Sequence, residues 1–155
     1  MPFRRSVAAL IALLAALVVA SCVRDGPGVR PSEISGPLVT LETRGGECPA
    51  GACGQTTVIQ RDGRVHTTAP VAADLGTVPA PALEALRIEV DQADFAAIAA
   101  RPFTGECPTA YDGQETIYTF GTAAGPVRLA SCEVAIDEDD PLFVAALTAI
   151  RTVSP

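Results

Sequence analysis

Four thiols carry the clearest chemical potential in this sequence: Cys48, Cys53, Cys107 and Cys132. A fifth, Cys22, stands apart near the N-terminus. In an oxidising compartment an even set of four implies disulfides, with three possible pairings. Cys48–Cys53 with Cys107–Cys132 is favoured, because it joins near neighbours in the topology inferred below. A four-cysteine zinc site competes with that reading. Structural zinc uses close C-x2–4-C pairs, and only Cys48 and Cys53 are so placed. Neither pair is C-x-x-C, so a thioredoxin-like role is not indicated. No metal or cofactor is expected.

Other candidate chemistry is sparse. A Ser or Cys hydrolase needs a His as proton shuttle, and His66 is the single histidine. It falls in a predicted strand, and no G-x-S-x-G elbow occurs, so a strand-surface His is the better reading. Asp137-Glu138-Asp139-Asp140 is the densest run of carboxylates. It lacks EF-hand spacing and suits the positive N-terminus of a following helix. No two acids are singled out as a glycosidase pair. The sequence has no lysine, which excludes Schiff-base catalysis. Arg44-Gly45-Gly46 follows a predicted strand but matches no phosphate-binding loop. No catalytic residue is assigned. Arg44 and Tyr111 are the candidate contact residues, each in a polar, turn-rich stretch.

The elements that must position these groups follow from patterning. Residues 38–43, 56–60 and 64–68 read as strands, with Asp62-Gly63 as a two-residue hairpin between the last two. Pro79-Ala80-Pro81 opens a helix whose apolar stripe is Leu83, Leu86 and Val90. A short second helix, capped by Asp94 or Asp91, runs to Ala100 and stops at Arg101-Pro102. Residues 103–113 read as a loop. Residues 115–120 and 126–132 form a second hairpin, and Asp140-Pro141 starts a last helix with Phe143, Leu147 and Ile150 on one face. The expected fold is α+β: an antiparallel sheet of about four to five strands in two hairpins, two or three helices on one face, and disulfide staples.

The N-terminal segment assigns a compartment. Arg4-Arg5 precede an uncharged apolar run, Val7–Ala20, shorter than the ~20 residues a spanning helix needs. It ends in Val19-Ala20-Ser21-Cys22, which resembles a bacterial lipobox. Residues 1–21 then read as a lipoprotein signal peptide, and Cys22 as the lipidation site. Residues 22–37, rich in Gly, Pro, Ser and charge, read as a flexible tether, and residues 38–152 as one domain. The expected location is a cell membrane or outer membrane, with the palmitate-type lipid on Cys22 as the membrane contact and the domain facing the periplasm or exterior.

Eighteen acidic residues against eleven basic ones give a net charge of −7, and removing Arg4 and Arg5 with the leader makes it −9. So acidic a surface excludes nucleic acid as a partner.

With Val39-Thr40-Leu41-Glu42-Thr43-Arg44-Gly45-Gly46, Asp94-Phe95, the Tyr118-bearing strand and the Pro141-Leu142 helix, the order of elements resembles emfourin, a family of small bacterial inhibitors of thermolysin-like metallopeptidases. The resemblance implies an inhibitory protein partner. The chain departs from that family in its four mature cysteines, its lipobox and its inserted Cys-Pro loops. It is also similar to bacterial lipoproteins of unknown function with a compact, disulfide-bonded α+β domain.

The sequence therefore favours a non-enzymatic, membrane-tethered binding domain with a protein partner, either a peptidase or an envelope protein. The alternatives are an envelope hydrolase using acidic residues and a purely structural envelope lipoprotein.

Overall fold

The computed structural model describes residues 36–47 and 53–154. The leader, Cys22 and Cys48 lie outside these residues. The chain divides into two units, residues 1–33 and 34–155, and the fold below belongs to the second.

Six strands form one antiparallel sheet. They are β1 (Val39–Gly45), β2 (Gly54–Ile59), β3 (Arg64–Ala69), β4 (Ala73–Thr77), β5 (Gln114–Thr122) and β6 (Gly125–Ala130), in the order β4-β3-β2-β1-β5-β6. The helices are α1 (Ala80–Gln92), α2 (Phe95–Ala99) and α3 (Pro141–Arg151), with a 3₁₀ turn at Pro108–Tyr111. The architecture is α+β, as expected. Among the described residues no helix is long and apolar enough to cross a membrane.

The sheet has one strand more than expected. β4 has the sequence Ala73-Asp74-Leu75-Gly76-Thr77, and only Leu75 is even partly buried. An edge strand that buries so little carries no apolar alternation, so it reads as loop until β3 supplies its hydrogen bonds. The residues 103–113 loop likewise contains the 3₁₀ turn.

Register assigns the two faces. Val39 stands opposite Ile59 and Phe120, and Ile59 opposite Val65. Tyr118 stands opposite Leu129. These residues share one face and pack against Leu83, Leu86 and Val90 of α1 and Leu142, Phe143, Ala146 and Ala149 of α3. Each such Leu or Phe contributes roughly 1.5–3 kcal/mol by leaving water. The rings of Tyr118 and Phe143 meet edge to face at 4.9 Å, and Phe95 lies 5.5 Å from Phe120. Alternation puts Thr40, Glu42, Arg44, His66, Glu115 and Arg128 on the opposite face.

Local chemistry sets the ends of elements. Gly63 adopts φ +89° in the β2–β3 hairpin, and Asp62 accepts from the Arg64 amide at 3.1 Å. Asp94 caps α2 by accepting from Ala97 N at 2.9 Å, and Asp140 caps α3 by accepting from Leu142 N at 3.1 Å.

The strand directions give the sheet two distinct ends. Gly36-Pro37-Leu38 leads into β1 at the proximal end, beside the β2–β3 and β5–β6 hairpins. The distal end lies roughly 20 Å away, the length of the seven-residue β1. There β1, β3 and β6 finish, and β2, β4 and β5 begin.

Candidate functional site

Both candidate contact residues fall at the distal end. Arg44 is the next-to-last residue of β1, and Tyr111 closes the 3₁₀ turn just before β5. Cys107 and Cys132 form a disulfide there, with Cα atoms 5.1 Å apart. It ties the start of the 3₁₀ turn to the residues just past β6, and those two thiols are spent on each other rather than on a metal. Cys53, immediately before β2, is also disulfide-bonded. Cys48, its expected partner, lies outside the described residues.

The turn that carries Tyr111 is fixed on several sides. Ala110 N donates to Cys107 O at 2.9 Å, and Gly113 N donates to Pro108 O at 2.8 Å. Thr109 Oγ1 lies 3.1 Å from Cys107 Sγ. Asp112 takes the left-handed conformation at φ 60°, which a short polar side chain tolerates. Two glycines let the turn lie down on the sheet. A Cβ at Gly113 would sit 2.6 Å from Pro108 Cβ, and one at Gly45 would sit 2.6 Å from Thr109 Cγ2. The Gly45 contact also brings the Arg44 strand against the Tyr111 turn.

On this scaffold Tyr111 is 68% exposed. The Glu106 carboxylate, more than burial, raises the phenol's pKa above its ordinary value. Arg44 Nε donates to Glu115 Oε2 at 2.6 Å, across the β1–β5 register. Glu115 is buried while the Arg44 side chain is half exposed. The hydrogen bond to Glu115 and then its charge hold the guanidinium above its ordinary value against desolvation, with smaller contributions from Glu42 and Glu133.

A shallow cavity of about 330 Å³ opens beside Arg44, lined by Glu42, Gln55, Thr56, Cys53 and Pro70 among others. Beyond it the β3–β4 turn presents Val71, 72% exposed. Buried Thr67 fixes that turn by donating to Val71 O at 2.7 Å. Val71 and Tyr111 are the two most exposed of the large hydrophobic side chains on the described surface. They stand several strand spacings apart along one rim.

The remaining candidates lie elsewhere. His66 is half-buried opposite Asp74, in a cavity of about 240 Å³ with Gln60 and Arg64. Asp74 already accepts from Gly76 N at 2.8 Å. The Asp137–Asp140 run precedes α3 and ends in its N-cap, and Arg101 approaches Asp140 at 3.6 Å. A cavity of about 330 Å³ there gathers Glu89, Asp94, Asp140 and Arg101. These carboxylates are not free to act as a hydrolase pair, because Asp94 and Asp140 are engaged in helix capping. Among the described residues no three His, Cys, Asp or Glu side chains gather as a metal ion would need.

Glu106 and Val71 were missed at the level of sequence. Exposed single residues in loops carry no periodic signal, and only the folded turns bring them to the rim that holds Arg44 and Tyr111.

Fold and site together define a small α+β domain with one helix-covered antiparallel sheet and its disulfide-bonded loops gathered at one end. No known protein family, curated protein or solved structure matches this chain.

Proposed function

We propose that this chain is an exported lipoprotein, held to a membrane through lipid on Cys22, whose domain binds a protein partner with the distal end of its sheet. The observation that carries this reading is the Cys107–Cys132 disulfide at the base of the Tyr111 turn. Such bonds persist in oxidising compartments, which agrees with the leader and lipobox. The same bond limits the motion of an exposed aromatic residue, so less conformational entropy is lost when a partner orders it.

Polarity along β1 supports the same reading. The segment read as a tether reaches the fold at the proximal end, about 20 Å from the Tyr111 rim. The distal loops would then be the part most accessible to another protein.

Intact-mass measurement of the protein purified from membranes, with and without reductant, tests the export half of the proposal. The expected species starts at Cys22, carries a thioether-linked diacylglycerol and gains four hydrogens on reduction. A molecule that retains residues 1–21, or whose five thiols are all free, rejects it.

A further inference from the structure

We infer that the Tyr111 turn is a recognition site for a basic protein segment, with a Lys or Arg side chain of the partner seated on the Tyr111 ring and paired with Glu106 and Asp112. This rests on the reading of the distal end as a contact surface and names the partner's chemistry.

Three observations combine here. First, the ring is 68% exposed, on a turn fixed by the Cys107–Cys132 disulfide and by the close packing of Pro108 and Thr109 over Gly113 and Gly45. Second, the Glu106 carboxylate acts on the Tyr111 hydroxyl and favours its protonated form. A carboxylate acting on the hydroxyl adds its negative field to that of the ring, so a cation over the ring face is attracted by both. Third, the charge is one-sided. Glu106 and Asp112 make no ion pair among the described residues. The neighbouring Arg44 is held by Glu115, within the fields of Glu42 and Glu133. An incoming anion would meet uncompensated carboxylates, whereas an incoming cation meets a ring face and two carboxylates that no arginine neutralises among the described residues. The net charge of −9 that remains without Arg4 and Arg5 steers the same class of partner.

The absence of lysine makes a clean test possible. Carbodiimide joins carboxylates to amines, and this protein has no lysine side chain to compete with a partner's. The full mature protein in detergent is mixed with a short Lys-Gly repeat peptide or its Glu-Gly counterpart, coupled, and mapped by peptide mass spectrometry. Saturable binding of the Lys peptide is expected, with adducts at Glu106 and Asp112. Tyr111→Ala and Glu106→Gln should each weaken binding about three- to five-fold, and Tyr111→Phe less than Tyr111→Ala. Tyr111 is 68% exposed and outside the hydrophobic core, so these variants are expected to fold. Adducts spread over Asp137–Asp140 and insensitive to Tyr111→Ala would overturn the inference, as would equal binding of the Glu peptide or no binding at all. A photo-cross-linker at position 111 separates the two claims in cells. Capture of a partner through a segment without basic residues rejects this inference and keeps the contact surface. No capture from position 111 or 71 rejects the contact surface itself.

Discussion

Arg44 reaches across the β1–β5 ladder to Glu115 with Nε 2.6 Å from Oε2, and the two ends of that bond sit in different surroundings. The Glu115 side chain is 6% exposed, while the Arg44 side chain is half in water. The arginine thus serves as solvation for a buried charge at the base of the distal loops. Losing a partner from such a pair leaves an uncompensated charge, which costs more than replacing both. Arg44→Ala is therefore expected to lower the unfolding midpoint more than Glu115→Gln does. The Arg44→Ala/Glu115→Gln double variant should recover part of the loss. Thermal unfolding of the three variants checks the order, and equal effects of both single variants would contradict it.

The Cys107–Cys132 bond closes a loop of 25 residues. In the chain-entropy account such a bond stabilises by about 3 kcal/mol. The Cys107→Ala/Cys132→Ala double variant should lose about that much in denaturant unfolding. It should also free the turn, seen as faster amide exchange at Ala110 and Gly113, whose N–H groups bond within it.

Gly113 lacks room for a methyl group. A Cβ there would lie 2.6 Å from Pro108 Cβ and 2.7 Å from Pro108 O, both on a turn held by a disulfide. Gly113→Ala should cost about 1–3 kcal/mol by overpacking and should displace Tyr111. Unfolding free energy reports the first effect. Partner or peptide affinity, reduced without any change to a contacting side chain, reports the second.

Burial, with a smaller push from Glu138 and an opposing pull from Arg151, raises the Tyr118 phenol above its ordinary value near 10. The folded state then keeps a proton that the unfolded chain releases. The resulting stability is complete below about pH 10 and is lost as pH rises through the folded value. Tyr118→Phe should flatten the alkaline arm of the stability curve, measured as urea unfolding between neutral pH and pH 11. An unchanged alkaline slope would contradict this account.

Much of the fold was legible because it is written in periodicity. Leu83, Leu86 and Val90 line α1 as their spacing demands, Asp62-Gly63 turns where a left-handed residue is needed, and Asp140-Pro141 starts α3. β4 was not legible. Its residues bury little, and its identity as a strand comes from the ladder with β3. The site was half legible. Arg44 and Tyr111 stand out as exposed polar and aromatic residues beside glycines, yet 67 positions separate them. What unites them is the approach of Thr109 to Gly45, a contact that depends on the whole sheet closing. Glu115 illustrates the same limit. A glutamate at the start of a strand reads as solvated until the register sets it against Arg44 and buries it.

The most direct test of the account is site-specific photo-cross-linking in cells that express the full chain. One photoreactive residue replaces Tyr111 at the distal rim, and another replaces Val144, exposed on the outer side of α3. The account predicts a discrete cross-linked partner from position 111 and none from position 144. A partner captured only from position 144 would contradict it, because the helix layer and not the disulfide-bonded rim would then be the working surface.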